Sequence, residues 1–154
     1  MKNKKKSSPS IKIVLIVVAV ILIVVLVLLW ASAPCCEDIT KDGKPIAKVC
    51  GEAEFIASYE LSNNEITVIN NGNVPIYAFE ARIYSEGRID TQELIPKNIE
   101  TGEEINLVQG TSGNISIDIG DATKIKLTPI LIGNSGEREV KYTCHSHPGV
   151  ELEI

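Results

Sequence analysis

The sequence predicts an all-β protein on a membrane anchor: an N-terminal transmembrane helix followed by an antiparallel β-sandwich. Three observations carry this. Eighteen consecutive apolar residues run from Ile13 to Trp30 without a charge, a Pro or a Gly. Beyond them, apolar and polar residues alternate in short runs broken by turn residues, the period of half-buried strands. No stretch in that outer part has the apolar stripe of an amphipathic helix. The chain has 154 residues, too few for a TIM barrel or a two-domain dehydrogenase once the apolar segment is set aside.

Taken in order, residues 1–10 read as a basic cytoplasmic tail, 11–31 as the transmembrane helix, 32–51 as a cysteine-bounded stalk or hairpin, and 52–154 as the β-sandwich ectodomain. An apolar run of this length covers roughly 27 to 30 Å as a helix, the thickness of a bilayer's hydrocarbon, and a helix satisfies its own backbone hydrogen bonds there. Ile13 opens the anchor and Trp30 closes it at the interface. Lys2, Lys4, Lys5, Lys6 and Lys12 precede or open the run, and no acidic residue does. By the positive-inside rule the N-terminus is cytoplasmic, and everything after Trp30 is extracytoplasmic on a single-pass protein of the cell membrane. Ala31-Ser32-Ala33 has the small-x-small form of a signal-peptidase site. The apolar run, however, exceeds the usual signal-peptide core of about 7 to 15 residues, and Pro34 would be the first mature residue, so the anchor is expected to stay.

The lipid bilayer is therefore the first partner expected. Ten basic residues face twenty acidic ones beyond Trp30, a net charge of −10. Such a surface repels nucleic acid, and the lysine cluster serves topology and anionic-lipid contact instead.

Strands are expected near 54–61, 65–70, 75–84, 88–94, 103–108, 114–119, 123–132 and 138–144. Ile115, Ile117 and Ile119 alternate with Asn114, Ser116 and Asp118; Tyr77, Phe79, Ala81 and Ile83 alternate with Ala78, Glu80 and Arg82. Turns fall at 62–64, 70–73, 86–87, 101–102, 110–113, 120–121 and 133–136, where Gly, Asn, Asp and Ser collect. Seven or eight short strands at this spacing call for two packed sheets, an Ig-like sandwich without a core Trp, or else a small barrel. Pro75 and Pro129 each need a strand start, an edge or a bulge.

All four cysteines, Cys35, Cys36, Cys50 and Cys144, lie beyond the anchor, which favours disulfides. Asp42-Gly43 is a hairpin signal that brings Cys50 opposite Cys35 or Cys36; one of these is expected to bond Cys50, leaving the other for Cys144. The alternative is a metal site of Cys144, His145 and His147 with Cys35 or Cys36, although strand parity sets Cys144 on the face opposite both histidines. Asn114-Ile115-Ser116 is a glycosylation sequon with its Asn on the polar face. No nucleophile elbow, phosphate-binding loop, zinc-protease helix or EF-hand loop occurs, so no enzyme activity and no cofactor is expected.

The run Ile66-Thr67-Val68-Ile69-Asn70-Asn71-Gly72-Asn73-Val74-Pro75-Ile76, with Phe79 to Tyr84 and Leu127-Thr128-Pro129-Ile130, resembles the β-sandwich outer domains of archaeal single-pass surface proteins. Archaellins, archaeal pilins and CARDB-type adhesion modules share that layout. The resemblance implies an anchored surface module for recognition, adhesion or envelope structure, partnered by other surface proteins or identical subunits. A filament subunit is the alternative, but the basic-residue-and-Gly processing site of archaellins and pilins is missing before the apolar run. An extracytoplasmic metal or redox protein is the third.

Overall fold

The computed structural model describes residues 39–154, together with Val18 and residues 20–24, which are helical. The chain divides into two compact units, residues 1–37 and 38–154. Among the described residues no helix is long and apolar enough to cross a membrane. The remainder of the expected span, with Ile13 and Trp30, and the five topology lysines lie outside the described residues.

The second unit is built almost wholly of antiparallel strands, in two sheets. It begins with a miniature hairpin, β1 (Thr40–Lys41) and β2 (Lys44–Pro45). Its turn residues Asp42 and Gly43 both have positive φ, the backbone that the expected Asp-Gly turn demands. A five-residue helix, α1 (Ile46–Cys50), follows and buries Ile46, Val49 and Cys50. The strands β3 (Phe55–Glu60), β4 (Glu65–Asn70), β5 (Ala78–Ser85), β6 (Arg88–Leu94) and β7 (Ser112–Ser116) come next. The long β8 (Lys124–Ser135), β9 (Arg138–Thr143) and β10 (Val150–Glu153) complete the order. One sheet is β3-β4-β7; the other runs β2-β1-β8-β5-β6, with β9 and β10 also paired to β8.

The alternation read from the sequence is what buries the core. Ile66 and Val68 of β4 and Ile115 of β7 face Phe79, Ala81 and Ile83 of β5 and Ile125 and Leu127 of β8 in one cluster. The Phe55 and Phe79 rings, one from each sheet, lie 4.9 Å apart. Each large buried side chain contributes on the order of 2 kcal/mol by leaving water.

Three expectations need correcting. The strand expected over 103–108 does not form: Leu107 is buried, but the pairing partner changes from Lys97 (at Glu104) to Ile76 (at Leu107), so only isolated bridges form. Gly133 lies inside β8, and the turn is confined to Gly136 and Glu137. A Cβ at Gly133 would stand 2.5 Å from Ile46 Cδ1 and 2.7 Å from Ile39 Cγ2; the glycine is there to let those side chains dock on β8. Helix α1 and strand β10 are additional to the expected elements.

Pro129 sits in the middle of β8. Its carbonyl accepts the Cys144 amide at 2.9 Å, so its missing N–H points to the same edge. On that edge β10 pairs as far as Leu127 and β9 resumes at Ile130. The proline thus occupies the gap between two partners, where no ladder donor is required.

Candidate functional site

Registers fix which loops share an end. Glu60 pairs with Glu65 and Glu65 with Ser116; Tyr84 pairs with Lys124 and Ser85 with Arg88. The Ile117 amide reaches Asn64 O at 3.1 Å, Thr123 N reaches Tyr84 O at 2.8 Å, and Ile154 N reaches Thr123 O at 3.1 Å. The 61–64, 86–87 and 117–123 loops and the C-terminus therefore gather at one end, the tip. The chain enters the domain at the other, where Thr40 pairs with Asn134.

The tip holds a cleft of about 260 Å³ lined by Ser85, Arg88, Asp90, Asp118, Gly120 and Asp121, among others. Asp118 Oδ1 accepts the Gly120 amide at 3.2 Å, an Asx turn that shapes the loop. Arg88 is the cleft's cation and is ion-paired to Asp90. The Asp90 carboxylate, by hydrogen bond and then by charge, with Asp121 adding to it, raises the Arg88 pKa above its ordinary value. Leu61 and Ile89, 71% and 60% exposed, stand on the same end. The 86–87 and 120–121 turns are each legible in the sequence on their own. Their convergence follows only from the pairing of β5 with β8, which is a long-range fact.

The outer face of the larger sheet carries balanced charge. Lys141 binds Glu93 at 2.6 Å and lies 4.8 Å over the Tyr77 ring; the hydrogen bond to Glu93 raises the Lys141 pKa. Lys124 lies over Tyr84 and pairs with Glu151 at 3.4 Å.

The cysteine pairing differs from expectation. Cys50 is bonded to Cys144, with Cα atoms 5.4 Å apart, so Cys50 is not the partner of Cys35 or Cys36, both of which lie outside the described residues. Helix α1 turns Cys50 into the core beside the end of β9, which a plain hairpin reading of the stalk does not anticipate. Cys144 is thereby removed as a metal ligand. His147 is not free either: its Nε2 is 2.9 Å from Ala53 O and its Nδ1 accepts the Gly149 amide at 2.9 Å. Those contacts make Nε2 the protonated nitrogen and leave no lone pair for a cation. The ring stacks on Phe55, and His145 is exposed. Among the described residues no group of three His, Cys, Asp or Glu side chains is placed to hold a metal.

Asn114 lies on β7, half-buried. Its Oδ1 accepts from Thr67 at 3.1 Å and its Nδ2 donates to Glu65 at 3.0 Å, while its backbone pairs with Lys97. In the folded domain the sequon's amide is thus part of a cross-strand polar ladder.

Comparisons with protein-family models, curated proteins and solved structures find no match to this chain.

Proposed function

We propose that the chain is a membrane-anchored extracytoplasmic module whose Ig-like sandwich serves recognition, adhesion or envelope structure, without catalysis. The observation that carries this reading is the Cys50–Cys144 bond, between residues 94 apart whose side chains are both fully buried. Such a crosslink belongs to an oxidising compartment. It agrees with the lysine-flanked apolar run, which directs everything after Trp30 outward. A β3-β4-β7 sheet opposed to a β6-β5-β8 sheet extended by β9 supports the Ig-like assignment. The outer-domain likeness of residues 66–84 points the same way.

Binding belongs to the tip, where loops rather than sheet faces meet solvent and Asp90, Asp118 and Asp121 set the charge. The partner that fits is another surface protein, or an identical subunit, that presents basic groups; nucleic acid is repelled.

Intact cells making the full-length chain with a C-terminal epitope test the topology: a protease added outside should remove the epitope without permeabilisation. Digestion only after permeabilisation would overturn the reading. The recognition half is tested by Asp118→Lys with Asp121→Lys, which should abolish saturable binding of the 38–154 fragment to the producing cell's surface; unchanged binding removes the tip from the proposal.

A further inference from the structure

Strand β6 (Arg88–Leu94) ends the larger sheet, and among the described residues no strand pairs with its outer side. The Tyr84 carbonyl points toward β8, where it accepts the Thr123 amide at 2.8 Å. Tyr84 and Ile89 are therefore a non-bonded pair of the β5–β6 ladder, and the backbone groups of Ile89, Thr91 and Glu93 point outward. All three residues are exposed. An open edge of this length is a template for another strand, and proteins guard such edges with Pro, Lys, bulges or charges aimed inward. The outer side of β7, by contrast, is closed by Lys97, which exchanges backbone bonds with Asn114 at 2.8 and 2.9 Å. β6 has neither Pro nor Lys, and its register with β5 is unbroken from Ser85–Arg88 to Phe79–Leu94. Its one guard is Asp90, on the same face as the buried Ile83 opposite it. Arg88 stands on that face too, two residues earlier, and is its ion-pair partner. That spacing makes the guard selective, because it repels a strand that brings a carboxylate to Asp90 and admits one that brings a cation.

We infer that β6 pairs antiparallel with the β6 of a second copy, about a two-fold axis through Ile89, and so joins two chains at their tips. The axis is normal to the sheet, which sets odd residues opposite odd and even opposite even, and charge then chooses the register. Centred on Ile89, Arg88 of each chain faces Asp90 of the other, in non-bonded pairs where side chains are closest. The two Ile89 residues exchange backbone bonds and cover each other's exposed side chains. Centred on Arg88 or on Asp90, like charges meet; centred on Thr91, Arg88 faces Leu94 and Asp90 faces Gln92. The second copy's Arg88 also arrives at the cleft that Asp118 and Asp121 line, and so supplies the basic group that the tip calls for. This deepens the recognition reading above and rests on it. Because the axis reverses strand direction, the ends at which the two chains enter their domains point away from each other. On two anchored chains that is a bond between facing membranes, and the function is homophilic adhesion.

The test uses the full-length chain in phosphatidylcholine vesicles at physiological ionic strength, with clustering followed by light scattering. Wild-type vesicles should cluster. Arg88→Asp leaves only carboxylates facing one another across the axis and Asp90→Arg only guanidiniums, so vesicles of either variant alone should stay dispersed. Mixed together, the two variants regain both opposite-charge pairs, and the two kinds of vesicle should co-cluster, which a misfolded variant does not do. Dispersed wild-type vesicles, clustering by either variant alone, a mixture that stays dispersed, or chemical crosslinks confined to pairs within one vesicle would each overturn the inference. The protease test on intact cells judges the compartment separately, so the failure of one is distinguishable from the failure of the other.

Discussion

Asn70 shows how far one side chain organises this fold. It ends β4 fully buried, and its Nδ2 donates to Val74 O at 2.9 Å and Leu107 O at 2.7 Å while its Oδ1 accepts the Gly72 amide at 3.0 Å. Neither Asp, which has no donor, nor Leu, which has neither function, replaces it. The Asn-x-Gly-x-x-Pro run is therefore a clip that ties the 71–76 loop to the 107 segment. Gly72 completes the clip, because a Cβ there would meet Glu54 N at 2.8 Å. Asn70→Ala should cost about 1 to 3 kcal/mol in urea unfolding, since it removes three buried hydrogen bonds and takes the Asn70 donor from Val74 O, whereas Leu107 O keeps the Ile76 amide at 3.0 Å and the Gly72 amide keeps Glu54 O at 2.9 Å. Asn73→Ala, at an exposed position of the same loop, should stay within about 0.5 kcal/mol. Equal effects would show that the loop is not held this way. Lys141 makes a weaker, charge-based tie. Its pKa is raised by Glu93, so its contribution is complete below the ordinary lysine pKa and is lost only as pH climbs through the raised value. Lys141→Met should therefore lower Tm at neutral pH in low salt, and the difference should shrink in high salt.

At the scale of elements, the strands of 65–70 and 88–94 match their expected bounds: turn residues flank 65–70 on both sides, and 88–94 follows the Glu86-Gly87 turn and stops just before Ile95-Pro96. Their neighbours drift by one to three residues where partners rather than sequence end the ladder. Helix α1 was illegible since five residues show no period; it exists because Ile46, Val49 and Cys50 dock on the β8 side of the core. Strand β10 alternates as Val-Glu-Leu-Glu, but four residues after Pro148-Gly149 carry no length signal, and only pairing with Leu127 to Lys124 reveals it. The candidate site was legible as composition, not as place: acidic turns can be read from sequence, but their meeting at one end cannot. Gly133 gives this scale its prediction. Gly133→Ala should destabilise by about 1 to 3 kcal/mol through overpacking against Ile46 and Ile39. Ile46→Val, which removes the Cδ1 that the new methyl meets at 2.5 Å, should cost less in the Gly133→Ala background than in wild type. Additive costs in this double-mutant cycle would mean that α1 does not rest on β8 through that contact.

For the whole molecule, two global terms oppose each other. From Ile39 onward ten basic residues face eighteen acidic ones, a net charge of −8, and the excess is concentrated at loops such as the tip rather than on the balanced outer face of the larger sheet. Five surface ion pairs are present among the described residues, and each is individually weak. Screening weakens them, but it weakens the repulsion among unpaired acids more, so raising salt from low to physiological strength should raise the Tm of the 38–154 unit. The counterweight is covalent. The Cys50–Cys144 bond closes a loop of 94 residues, and by the chain-entropy estimate it stabilises by about 4 kcal/mol. A domain of this size has only about 5 to 15 kcal/mol in total. Cys50→Ala with Cys144→Ala should thus remove a quarter or more of the stability, and the loss should be largest in low salt, where the like charges push hardest on a chain no longer stapled. Urea curves with and without the bond at two ionic strengths check both claims. Coincident curves would mean the crosslink restrains nothing, and an equal loss at both strengths would mean charge and staple act on separate parts of the fold.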